Sequence, residues 1–87
     1  MWGWLTGRRP SLQVILYTRQ ACPLCEEAWA ILEAEQRTWG FQLSLVDVDS
    51  DPRLLEAHGD SVPVVTVDGV VRFRGKVSPI LFRRLLR

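Results

Sequence analysis

The spacing of apolar residues changes repeatedly along the chain, and each change marks an element. Residues 12–18, Leu-Gln-Val-Ile-Leu-Tyr-Thr, are apolar or β-branched on both alternating faces apart from Gln13, which predicts a central strand covered on both sides. Cys22 follows where a helix cap belongs, with Pro23 at the first helical position, where its missing N–H costs nothing and its fixed φ suits the helix. The spacing predicts a helix to about Trp39 and a stop at Gly40, with Leu24, Ala28, Ile31 and Leu32 as its core stripe and Glu26, Glu27, Glu33 and Arg37 largely on the wet side. Over residues 41–48, Phe41, Leu43 and Leu45 alternate with Gln42 and Ser44, the pattern of an edge strand with one buried face.

Asp51-Pro52 repeats the cap-plus-proline signature, so residues 52–58 form a short helix anchored by Leu54 and Leu55 and stopped by Gly59. Residues 63–67 and 70–74 read as strands joined at Asp68-Gly69, a strong hairpin signal because both residues tolerate positive φ. Arg72 and Arg74 alternate with Val71 and Phe73 as the solvated face of a terminal strand. Ser78-Pro79 opens a last helix carried by Ile80, Leu81, Phe82, Leu85 and Leu86, with Arg83, Arg84 and Arg87 toward its negative end. The order is βαβαββα. In the α/β class, the right-handed crossover rule closes it as one four-stranded mixed sheet with helices on both faces, the minimal thioredoxin fold.

With 87 residues there is room for one core, expected over residues 11–87 behind a tail of residues 1–10. Eleven Lys plus Arg against ten Asp plus Glu leave a net charge of +1, too small to point to nucleic acid or an anionic membrane. Met1 to Pro10 contains no continuous apolar stretch, and Arg8-Arg9 is followed by Pro10 rather than by a hydrophobic region, so neither an export signal nor a membrane span is predicted. A monomer in the reducing cytoplasm is the expectation. Trp2 and Trp4 leave three readings open: packing over an apolar patch, a partner surface, or a mobile tail.

In a reducing compartment, two cysteines separated by two residues are chemical rather than structural, since so short a loop adds little stability as a disulfide. Thiol–disulfide exchange needs a thiolate nucleophile, a second thiol to resolve the mixed disulfide, and surroundings that lower the first thiol's pKa. Cys22-Pro23-Leu24-Cys25 at a helix start supplies these, because free N–H groups of the first turn donate to the Cys22 thiolate and Cys25 lies one turn in. Cys22 is the expected exposed attacker and Cys25 the sheltered resolver. Arg19 adds positive potential worth about 1 kcal/mol or less, whereas Glu26 and Glu27 oppose a charge on Cys22. Val62-Pro63 at the head of a later strand is expected to be cis, turning the backbone before it toward the cysteines.

With a basic residue three places before Cys-Pro-x-Cys and with Ser61-Val62-Pro63 in place of Thr-Val-Pro, the chain resembles the glutaredoxin family from Leu12 to Leu86. The nearest likeness is to a bacterial glutaredoxin-like branch with Tyr-Thr-x-x-x-Cys-x-Leu-Cys, here Tyr17 to Cys25, and Asp-Pro-x-Leu before a His/Tyr-Gly, here Asp51 to Gly59. The resemblance implies a cytoplasmic thiol–disulfide oxidoreductase that reduces protein or glutathione mixed disulfides and is regenerated by glutathione or a reductase. It implies catalysis by Cys22 and Cys25, and substrate contacts from Arg19, Pro23, Leu24, Val62, Pro63, Gly75 and Ser78. Glutathione enters as a co-substrate, with no tightly bound cofactor. Two departures stand out: Leu24 replaces the tyrosine between the cysteines, and Gly75-Lys76-Val77-Ser78 replaces Gly-Gly plus an acidic residue, so no carboxylate awaits a γ-glutamyl amino group there.

Two alternatives use the same residues. Cysteines of two chains, or glutathione thiols, could complete an iron-sulfur or zinc site. The fold could instead dock an extended partner beside Val62. His58 reads as a cation suited to a helix end, and Trp29 and Trp39 as packing and surface residues.

Overall fold

A computed structural model describes residues 7–87, so Trp2 and Trp4 lie outside the described residues. Its elements follow the predicted order: β1 (Gln13–Thr18), α1 (Pro23–Trp39), β2 (Gln42–Asp47), α2 (Pro52–His58), β3 (Val64–Val67), β4 (Val70–Arg74) and α3 (Pro79–Leu86). The strands form one sheet in the order β2-β1-β3-β4, with β1 parallel to β2 and antiparallel to β3, and β3 antiparallel to β4. β1 is therefore central and β2 lies at an edge, as the sequence predicts.

Each helix begins on a side chain that accepts from a free first-turn N–H, followed at once by proline. Cys22 Sγ accepts from the Cys25 N–H at 3.2 Å, an Asp51 carboxylate oxygen from Arg53 at 2.8 Å, and Ser78 Oγ from Leu81 at 3.3 Å. α1 ends at Gly40 in the left-handed region, its N–H returned to the Gln36 carbonyl. α2 ends differently. Gly59 keeps a right-handed φ of −53°, and glycine is required there by close approach, since a Cβ would meet the Leu55 carbonyl oxygen at 2.5 Å. The β3–β4 turn has positive φ at Asp68 and Gly69, and an irregularity beside Val65 and Thr66 shifts the register of the hairpin.

The core lies on one face of the sheet. Val14 and Leu16 of β1 with Val65 and Val67 of β3 pack against Ala28 and Leu32 of α1 and Phe82 and Leu86 of α3, and Phe41 and Val77 complete the cluster. Phe82 is fully buried and meets Phe41 edge-on at 5.5 Å; burying one such ring contributes about 1.5–3 kcal/mol. The opposite face is covered by α2, whose His58 ring lies 4.7 Å from that of Tyr17. Before β1, Arg9 donates to the Leu86 carbonyl at the end of α3, and Arg8 donates to Thr38 at the end of α1.

Several expected core positions are wet. Leu24 (45% exposed) does not join the α1 stripe, which is completed instead by Cys25 and Glu35. Leu45 (53%) is exposed because the start of α1 lies beside the end of β2 rather than over it, leaving a groove. In α2 no residue is fully buried, so Leu54 and Leu55 anchor it only partly. In α3, Ile80, Leu81 and Leu85 face solvent while Phe82 and Leu86 hold the helix. Among the described residues, no helix is long and apolar enough to cross a membrane.

Candidate active site: a disulfide between two clefts

The β1–α1 loop delivers the cysteines to the edge of the sheet. Ala21 adopts φ of 53°, a left-handed conformation costing a non-glycine residue about 1–2 kcal/mol, and this turn sets Cys22 at the cap of α1. Cys22 and Cys25 are joined as a disulfide across a Cα separation of 5.2 Å. Cys25 is 3% exposed while Cys22 is only partly buried, the difference expected between a resolving and an attacking sulfur. The Cys25 N–H points at the Cys22 sulfur, a dipole that favours negative charge there once the disulfide is opened.

Two clefts meet at Cys22. The first, of about 430 Å³, lies between the start of α1 and the end of β2, bounded by Cys22, Cys25, Glu26, Trp29, Leu45 and Asp47. The second, of about 410 Å³, lies on the other side and brings Arg19, Pro23 and Leu24 together with Asp49, Gly59 and Val62. The Val62–Pro63 bond is cis, as expected. Pro63 is buried beneath the second cleft's Val62 rather than lining it. Gly75 and Ser78 line neither cleft: the Gly75 N–H donates to the Pro63 and Ser61 carbonyls, and Ser78 Oγ is occupied in capping α3. Of the expected contact residues, the structure thus gathers Arg19, Pro23, Leu24 and Val62 around Cys22.

Arg19 does not present a free charge to the sulfur. Its guanidinium makes two hydrogen bonds to Asp49, at 3.2 and 3.1 Å, and reaches the Gly59 carbonyl at 3.5 Å. Asp49 sits on a short 3₁₀ turn, Val48–Ser50, that the sequence reading places at the end of β2. The turn forms because the Asp47 carboxylate folds back onto the Asp49 N–H at 2.9 Å while Ser50 Oγ donates to the Asp47 carbonyl. Asp47, Ser50 and Asp51 clustered after an apolar run were the signal for it.

Glu35 was also missed. Its carboxylate is buried, accepts three hydrogen bonds from Arg83 at 2.9–3.1 Å, and accepts from Trp39 Nε1 at 3.1 Å. The hydrogen bonds from Arg83 hold its pKa below the usual carboxylate value against the opposing effect of burial, with Trp39 assisting. This pair ties α1 to α3 and so steadies the helix that carries the cysteines. Elsewhere, no cluster of three or more His, Cys, Asp or Glu side chains suited to a metal ion occurs among the described residues.

Residues 13–85 match the family model described as glutaredoxin-like domain (DUF836). No curated protein matches the chain. Among solved structures, the structural genomics target protein XcR50 from X. campestris is 30% identical, over 84% of this chain and 93% of its own, with a TM-score of 0.68. Protein Ne2328 from Nitrosomonas europaea shares 23% identity over 92% of this chain and 96% of its own at a TM-score of 0.78. The NTD_N/C domain of the alkylhydroperoxide reductase AhpF from Enterococcus faecalis aligns at a TM-score of 0.73 and 20% identity, over 90% of this chain and 39% of that one. The last two likenesses concern the fold, and with the sheet order above they make it a thioredoxin fold.

Proposed function

Since this chain belongs to the glutaredoxin-like domain family, we propose that it is a thiol–disulfide oxidoreductase working through Cys22 and Cys25. The observation that carries the reading is the asymmetric pair itself: an accessible sulfur at a helix cap, supplied with an N–H donor, one turn from a buried partner already at bonding distance. In the dithiol state, the Cys22 thiolate attacks a substrate disulfide. One substrate sulfur leaves as thiolate, and a mixed disulfide joins Cys22 to the other. The Cys25 thiolate then attacks the Cys22 sulfur, the mixed disulfide breaks, and the second substrate thiolate leaves. Two electrons have passed to the substrate, its thiolates take protons from water, and the protein is left as the Cys22–Cys25 disulfide. An external thiol, either glutathione or a dithiol reductase, returns it to the dithiol.

Arg19, Pro23, Leu24 and Val62 support the reading as the wall against which the substrate's half of the mixed disulfide rests. Gly75 and Ser78 act indirectly, Gly75 through its hydrogen bond to Pro63 and Ser78 by setting the start of α3. Turnover of a peptide disulfide by the wild type and by Cys22→Ser tests the proposal. Activity in the wild type that is abolished in Cys22→Ser supports it, and a wild type inactive toward both peptide and glutathione disulfides refutes it.

A further inference from the structure

The residues bounding the two clefts at Cys22 include one cation and three carboxylates: Arg19 against Glu26, Asp47 and Asp49. Arg19 is already held by Asp49, so the charges left facing an incoming substrate are Glu26 and Asp47, both exposed and both on the first cleft. That cleft is otherwise apolar, walled by the half-buried ring of Trp29 and by Leu45, and it opens directly onto the Cys22–Cys25 sulfurs. It also borders β2, the edge strand, whose outer side pairs with no other strand of the sheet. An open strand edge suits an extended polypeptide and has little to offer a tripeptide.

We infer that the Trp29–Leu45 groove selects the substrate: a polypeptide disulfide with an apolar side chain beside the reacting cysteine and basic residues beyond it, in preference to glutathione. This rests on the thiol–disulfide exchange reading. Leu45 and Trp29 take the apolar side chain, Glu26 and Asp47 meet the basic residues, and the Asp49 carboxylate cancels the Arg19 charge that an anionic tripeptide would need.

The test uses the prereduced full chain in stoichiometric reaction with two synthetic peptides that differ only beyond an identical leucine-flanked disulfide, one continuing with three lysines and the other with three glutamates, with glutathione disulfide as a third substrate. Acid quenching and chromatography follow loss of the disulfide. At low ionic strength the lysine peptide should react about tenfold faster than the glutamate peptide, and faster than glutathione disulfide. The preference should collapse in 1 M salt, where the screening length is about 3 Å. The double variant Glu26→Gln/Asp47→Asn should equalise the two peptides, and its amide at position 47 preserves the oxygen that accepts from Asp49. Leu45→Ser should slow both peptides. Equal rates for the two wild-type reactions, a faster glutamate peptide, or glutathione disulfide as the fastest substrate would overturn the inference while leaving the exchange chemistry standing. A wild type that reduces none of the three would overturn both.

Discussion

Replacing Glu35 by glutamine keeps the volume and shape of the side chain and removes only its charge. In the native chain the carboxylate accepts three hydrogen bonds from Arg83 and one from Trp39. A glutamine can keep one or two of these, but its NH₂ must then face a guanidinium that also donates. A hydrogen bond to a charged group contributes about 1.5–3 kcal/mol net. The Arg83 side chain is 48% exposed and can turn to water, so the expected loss lies toward the low end, about 1–2 kcal/mol at neutral pH. In a domain of this size such a loss lowers the melting temperature by about 4–8 °C per kcal/mol. The pH dependence supplies the sharper check. The pKa of Glu35 is lower in the folded chain than its ordinary value of 4.5, so the stabilisation is fully present above the unfolded pKa and disappears as pH falls through the folded one. Urea unfolding of both proteins by tryptophan fluorescence should therefore show a gap at pH 7 that narrows below pH 4.5. A gap of the same size throughout, or no gap at neutral pH, would refute the account of Glu35 as an ionised tie between α1 and α3.

Two further substitutions probe the cysteine loop. Ala21→Gly relieves a left-handed alanine costing about 1–2 kcal/mol and gives back about 0.5–1 kcal/mol in backbone entropy, so thermal unfolding should show a small net stabilisation. A lower melting temperature would show that the Ala21 backbone is not strained. Asp49→Asn removes the carboxylate that holds Arg19 and leaves a positive charge beside Cys22. Stopped-flow rates with glutathione disulfide should rise severalfold and become more sensitive to salt, whereas an unchanged rate would mean that Arg19 does not act on the substrate.

Much of this site is legible in the sequence because local chemistry fixes it. Cys22-Pro23, Asp51-Pro52 and Ser78-Pro79 each place a side-chain acceptor before a proline, and each starts a helix where predicted. Asp68-Gly69 likewise specifies its turn without help from distant residues. Features that depend on a partner far along the chain were hidden. Arg19 reads as a free cation until the fold brings Asp49 to it from 30 residues away, and Glu35 looks like a solvated helix residue until Arg83 arrives from 48 residues away. The exposed Leu45 and Leu24 mislead for a related reason. Periodicity reports which side chains share a face, but whether a second layer covers that face is decided by how the helices sit, and here both leucines border the clefts at Cys22.

The central claim, that Cys22 attacks and Cys25 resolves, is tested most directly by trapping. The Cys25→Ser variant, mixed with a peptide disulfide and analysed by intact mass, should gain the mass of one peptide thiol, and proteolytic mapping should place it on Cys22. The Cys22→Ser variant should gain none under the same conditions. Failure of Cys25→Ser to accumulate the mixed disulfide, or equal labelling of the buried Cys25 in the Cys22→Ser variant, would contradict the assignment.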